Sequence, residues 1–255
     1  MSLANPVVPL PPADSAPVRT WRQGPAAYLE LNRPEKANAY NHQMLESLRA
    51  IFARLIEQPE VRVIIVCGAG DRSFCAGADL AEFAQRDFQS GLRLQSAELF
   101  AQISRCPRVT LAAVNGAAVA GGLELALACD LRIASRSARF WFPEPELGLI
   151  PAAGGTQRLA QAVGRARAKE MILGGRVWNA EEALQFGLVS ELTAPDQLLA
   201  LAAQWAERIA RRNPTALELA KKAIDMEGPG GAGYSFESVA EALLYHLRSN
   251  EGEQG

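Results

Sequence analysis

Histidine is nearly absent: the 255 residues hold two, His42 and His246, both in segments that read as ordinary helix. A serine activated by imidazole has no base here, and no metal site is expected. Paired cysteines are absent as well. Cys67, Cys75, Cys106 and Cys129 lie in or beside apolar runs without CxxC spacing, the pattern of reduced, buried thiols in a reducing compartment. No apolar run reaches the ~20 residues of a membrane span, and no basic segment followed by an apolar one opens the chain. Neither a membrane partner nor a secretory signal is expected, and the cytoplasm is the default. Net charge is small: 26 Lys and Arg against 28 Asp and Glu leave −2, with the cations scattered through helices. That excludes the broad basic face a nucleic acid would need, so any anionic ligand must be met locally.

What is present is largely apolar, 49% of the chain, enough for one substantial core. Residues 1–17 hold five prolines and no aromatic residue, and read as a disordered leader with no assigned function. An alternating strand is expected over 26–32. A helix is expected over 43–58, where Met44, Leu45, Leu48, Ile51, Phe52, Leu55 and Ile56 form one stripe. Buried-type strands follow over 61–67 and 109–114, with a third over 131–134. One helix is expected to begin at Thr156, and another to be capped by Asn179 and stopped by Gly187. After Pro195 come three helical patterns, 196–212, 213–227 and 236–248, the middle one opened by Asn213 and Pro214. This divides the chain into a core domain over 18–195 and a C-terminal helical region over 196–255. The glycine-rich stretch 228–233 reads as a flexible link.

Two strands end in glycine turns. The first, VCGAGDRS, starts like a dinucleotide fingerprint, but its third small position is Ser73 and no acidic strand end follows at the required distance. No GK[ST] follows either, so a phosphate loop also fails. The second turn is NGAAVAGG, which runs into the apolar segment LELALACD. A tight turn with a small residue at its bend lets a backbone N–H face an approaching oxygen, and two such turns supply the two donors of a site for negative charge. CAGAD (75–79) and AGGLE (120–124) are the candidates, the second with a helix N-terminus behind it. The same glycines also suit sharp bends and close packing alone, Glu124 suits a helix cap, and Glu144 suits a charged loop. Composition leaves both readings open.

Five blocks, LNRPEKANAYN, FCAGADL, AAVNGAAVAGGLELALACDLRIAS, FPEPELGLIPAAGGTQRL and NAEEALQFGLVSEL, resemble in order and spacing the enoyl-CoA hydratase/isomerase, or crotonase, superfamily over about residues 20–250. The resemblance implies an α/β fold, a ClpP/crotonase-like spiral of ββα units with a C-terminal helical region that mediates trimers, often paired into hexamers. It implies that the N–H groups of Ala78 and Gly121 hold the thioester oxygen of an acyl-CoA. Glu124 would activate the water that attacks C3, and Glu144, seven residues before Pro151, would handle the proton at C2, while Glu146 is structural charge. Ala37, Ala76, Gly77, Asp79, Leu80 and Gly122 would line the substrate and CoA path. Arg33, Lys36 and Arg72 are candidates for the CoA phosphates or solvated surface charges. No cofactor is implied beyond the CoA of the substrate.

The implied activity is hydration of a 2-enoyl-CoA to a 3-hydroxyacyl-CoA, as in β-oxidation of fatty acids. A Δ3,Δ2-enoyl-CoA isomerase, needing chiefly one carboxylate near Glu144, and a catalytically silent acyl-CoA-binding trimer are the alternatives. Trp141 and Phe142 stand where the family usually carries smaller or more polar residues, so the resemblance leaves the shape of the acyl pocket open. Pro145 is expected to push Glu144 towards extended backbone.

Overall fold

A computed structural model describes residues 16–83, 88–226 and 232–252. Most of the leader and the start of the glycine-rich link therefore lie outside the described residues. In chain order the elements are β1 (Val18–Gln23), β2 (Ala26–Leu31), α1 (His42–Ile56), β3 (Val63–Gly68), β4 (Ser73–Cys75), α2 (Leu80–Phe83), α3 (Phe88–Leu92), α4 (Gln95–Ser104), β5 (Val109–Val114) and β6 (Ala117–Val119). They continue with α5 (Gly121–Ala128), β7 (Leu131–Ser135), β8 (Arg139–Trp141), α6 (Gly155–Ile172), β9 (Trp178–Asn179), α7 (Ala180–Gln185), β10 (Glu191–Thr193), α8 (Leu198–Ala210), α9 (Pro214–Asp225) and α10 (Ala232–Gly252).

The strands form two sheets. One has six strands in the order β1-β2-β3-β5-β7-β10, parallel except for the β1–β2 hairpin; the other has four, β4-β6-β8-β9, with only β8–β9 antiparallel. A long strand in the first sheet, a short one in the second and then a helical stretch recur three times: β3-β4 with α2 to α4, β5-β6-α5, and β7-β8-α6. This is the crotonase-like spiral. The expected strands match β2, β3, β5 and β7, and the stripe over 43–58 matches α1, with Asn41 Oδ1 accepting from Met44 N at its cap. Thr156 is the second residue of α6, a helix broken at Gly164, and Asn179 caps α7 through a reciprocal pair with Glu182.

Both faces of the six-stranded sheet are covered, as a parallel sheet requires. Leu29, Ile64, Val66 and Ala112 point into the main core against α1, α4 and α5. Tyr28, Val63, Ile65 and Leu111, alternating with them, meet Leu198, Ala202, Ala206 and Ile209 of α8. Helix α8, the first of the C-terminal helices, therefore packs directly on the sheet. Helix α9 buries none of its residues and is held by Lys221, whose Nζ donates to Cys106 O at 2.7 Å and pairs with Asp130 at 2.8 Å.

The first glycine turn joins a strand of one sheet to a strand of the other. A Cβ at Gly68 would lie 2.5 Å from Phe74 O, and one at Gly116 would lie 2.3 Å from Arg72 O. Asn115 ties the turn down, accepting from Gly68 N at 3.1 Å and donating to Gly70 O at 2.8 Å. Since β4 rather than a helix follows, no helix N-terminus is available there for a pyrophosphate.

Candidate active site

The second strand of each repeat delivers the chain to one cleft. After β4 the backbone runs through Gly77, at φ +94°, and Ala78 forms a parallel bridge with Tyr40. Tyr40 N donates to Gly77 O and Asp79 N donates to Tyr40 O, each at 2.8 Å. In that pattern the N–H of Ala78 itself lies on the opposite edge, away from Tyr40. After β6 the chain turns at Ala120, whose φ of 50° and ψ of −128° are unusual for a residue with a side chain, and α5 begins at Gly121. Such strain costs on the order of 1–3 kcal/mol and persists where the surroundings impose it. Ala120 N donates to Trp141 O at 3.2 Å, which pins the bend. Gly121 N, in the first turn of α5, has no acceptor within its own helix.

The two turns touch. A Cβ on Gly77 would sit 3.1 Å from Gly121 N and 3.0 Å from the Ala120 methyl. One on Gly121 would lie 2.1 Å from the Tyr40 hydroxyl, and one on Gly122 2.0 Å from Cys75 O. Glycine is needed at each position because neighbouring chain occupies the space of a side chain. Ala78 and Gly121 line one cavity of about 590 Å³, together with Glu124 and Glu144.

Glu124 projects from the first half of α5 and is 3% exposed. Its Oε1 accepts from Ala153 N at 2.7 Å, just before the cap of α6, and from Gly155 N at 2.8 Å, an orphan amide at the start of that helix. Burial raises its carboxyl above the usual range, against the lowering effect of those two amides and of Arg158. Glu144 opens a short 3-10 turn, Glu144–Leu147, after β8. Its Oε2 is buried and, among the described residues, has no hydrogen-bond partner. Burial pushes the Glu144 carboxyl up to about 7, with the Glu124 charge adding to the rise. The backbone expectation for Glu144 is corrected: it is helical, not extended. Pro145 costs this short turn no donor, and the carbonyls of residues 144 and 145 are met by the amides of Gly148 and Leu149.

The remaining candidates divide. Ala76 and Leu80 also line the cavity, whereas Gly122 packs against Cys75. Ala37 is left-handed at φ 51°, with its N–H donating to Pro34 O and its carbonyl accepting from Ala76 N. Asp79 pairs with Arg33 at 2.8 Å, and Arg33 also donates to Ala39 O, so that cation braces the loop. Lys36, Arg72 and Glu146 are exposed. Phe142 is 1% exposed and packs beneath Gly155, and neither it nor Trp141 is among the residues lining the cavity.

The enoyl-CoA hydratase/isomerase family model matches residues 22–246. The chain belongs to that family. A putative enoyl-CoA hydratase/isomerase of Bacillus subtilis is 43% identical over 220 residues, 84% of each protein. The short-chain-enoyl-CoA hydratase of Clostridium acetobutylicum is 37% identical over 223 residues, 86% of this chain and 85% of that one. The crystal structure of an enoyl-CoA hydratase from Bacillus anthracis superposes with a TM-score of 0.87 at 35% identity, covering 93% of this chain and 96% of the other.

Sequence reasoning missed several parts of this enoyl-CoA hydratase/isomerase site. Tyr40, just before α1, and Leu94 and Ser96, at the start of α4, line the cavity, and Leu147, Leu149 and Ile150 line it from the loop before α6. The amides that hold Glu124 had a visible signal, the glycine pair of AAGGTQRL just before a helix. Asn38 had a fainter one. At φ 55° and fully buried, it accepts from Arg33 N and donates to Ala69 O and Ser73 O, locking the loop beside the cavity.

Proposed function

We propose that the protein is an enoyl-CoA hydratase. One observation carries the reading: two carboxylates with different surroundings share a cavity with two turns whose Ala78 and Gly121 amides, among the described residues, donate to no loop or cap carbonyl. Adding water to a 2-enoyl thioester builds enolate charge on the thioester oxygen. The N–H groups of Ala78 and Gly121 meet that charge, and no metal or organic cofactor is needed beyond the CoA of the substrate. Glu124, held by two amides, takes the proton of the water attacking C3. Glu144, raised to about 7 so that a large fraction keeps its proton near neutrality, gives that proton to C2. Dehydration reverses these roles.

Leu80, Leu94, Pro143, Leu147, Leu149 and Ile150 around the same cavity support an apolar acyl group. The exposed apolar residues Ile224, Val239 and Tyr245 on α9 and α10 support assembly into a trimer, or a dimer of trimers, through the C-terminal helices. Four free, buried thiols support a reducing compartment, the cytoplasm. Among the described residues, no helix is long and apolar enough to cross a membrane.

The test is the conjugated-enoyl absorbance of crotonyl-CoA. Its loss with the wild type is expected, and Glu124→Gln or Glu144→Gln should each lower kcat by about 10²- to 10⁴-fold while acyl-CoA still binds. Full activity in both variants would overturn the assignment. A panel of short, medium and aromatic enoyl-CoAs then defines the acyl group.

A further inference from the structure

One short turn holds Glu124. Its amides at Ala153 and Gly155 both reach Oε1, so whatever fixes residues 153–155 also fixes the carboxylate. Gly154, the cap of α6 at φ +102°, offers no side chain for the task. Arg158 folds back over the turn instead, its Nη1 donating to Ala153 O at 2.9 Å and its backbone N to Gly154 O at 2.9 Å. A Cβ on Gly154 would lie 2.1 Å from Nη1, so the guanidinium occupies the space that a side chain there would require.

A cation in the first turn of a helix faces the positive end of the dipole. Partial burial adds a desolvation cost, which lowers the affinity of the Arg158 guanidinium for its proton. The Glu124 charge opposes that loss, and Arg158 in turn helps to lower the Glu124 carboxyl against its burial. Resting on the hydratase reading, we propose that Arg158 is a positioning residue for the water-activating step: it locks the turn that holds Glu124 and supplies the positive charge facing that carboxylate.

The other groups around the pair do not supply that charge. Glu144 faces Glu124 with the same sign and is itself raised by it. Cys75 on β4 and Cys129 at the end of α5 are thiols pushed up to about 12 and neutral. Arg105, after α4, acts on Arg158 with like charge.

The experiment is the pH dependence of kcat/KM for crotonyl-CoA hydration by wild type, Arg158→Gln and Arg158→Lys, with thermal midpoints recorded alongside. Glutamine keeps an N–H donor and loses the charge, so the acid limb should move up by about one pH unit, roughly tenfold in rate below the limb. KM should stay within about twofold, because the amides of Ala78 and Gly121 are untouched. Lysine should return the limb to within about a third of the glutamine shift. In a Glu124→Gln background, Arg158→Gln should leave the residual rate unchanged. An unmoved limb in Arg158→Gln, or equal pH-independent losses in both variants, overturns the inference. If Arg158→Gln does not fold, the lysine variant carries the test, and a limb displaced as far as about one unit overturns it. A wild type that leaves crotonyl-CoA untouched sinks the hydratase reading instead.

Discussion

Glu124 and Glu144 are the same chemical group in two settings: one anchored by a pair of amides, the other buried with an unpartnered oxygen. With the Glu144 carboxyl at about 7, the proposed hydration should lose kcat/KM as pH rises through that value, since the proposed proton donor is lost. Glu144→Gln should abolish that limb. The same shift sets a cost in stability. Folded Glu144 keeps a proton that the unfolded chain releases at the ordinary carboxyl pKa, so its contribution is full below that value and is lost as pH rises to about 7. In urea titrations, Glu144→Gln should therefore gain on the wild type between pH 5 and pH 8. The reverse order would show that burial does not disfavour the charged form. The thiols make a simpler case. All four are buried, and Cys75 and Cys129 are pushed up to about 12, so a disulfide reagent should label none at neutral pH until urea unfolds the chain.

At the scale of elements, function depends on how closely the second strand of each repeat is packed. Gly122 starts α5 directly against Cys75 of β4, and a methyl there meets a carbonyl oxygen at 2.0 Å. Gly122→Ala should cost about 1–3 kcal/mol as overpacking. At roughly 2–4 °C per kcal/mol for a chain of this size, scanning calorimetry should show a drop of several degrees. Gly77→Ala forces a side chain at φ +94° against Gly121 N, so on the proposed mechanism it should displace one donor of the proposed oxyanion pair and lower kcat by about 10²- to 10³-fold, read by the same absorbance assay. The two glycine turns and α1 were legible because a bend leaves a glycine and an amphipathic helix leaves a stripe, whereas α5, buried on all sides, shows only as an apolar run. Strands β4, β6 and β8 were not legible, since three residues are too few to display a period of two. The wall formed by residues 147–153 was also hidden, because an apolar loop has no periodicity to announce it.

At the scale of the whole molecule, the C-terminal helices differ from one another. Helix α8 completes the core, whereas α9 is attached through Lys221 and Asp130 and leaves Ile224 82% exposed, with Val239 and Tyr245 exposed on α10. If this face joins subunits as proposed, Ile224→Glu with Val239→Glu should reduce the assembled mass in sedimentation while leaving α8 and the sheet folded. An unchanged mass would place the contact elsewhere.

The sequence by itself determined the alternation of buried strands and glycine turns, the reduced thiols, and the two acids with two small-residue bends in a family's order. These are local signals, carried by residue type and spacing along the chain. Only the tertiary structure decided that Gly77 touches Gly121, that Glu124 is held by the amides of Ala153 and Gly155 some 30 residues away, and that Glu144 ends up desolvated. Those facts depend on which strands become neighbours in two sheets. Proximity and burial arise between segments distant in sequence, and no single segment encodes them.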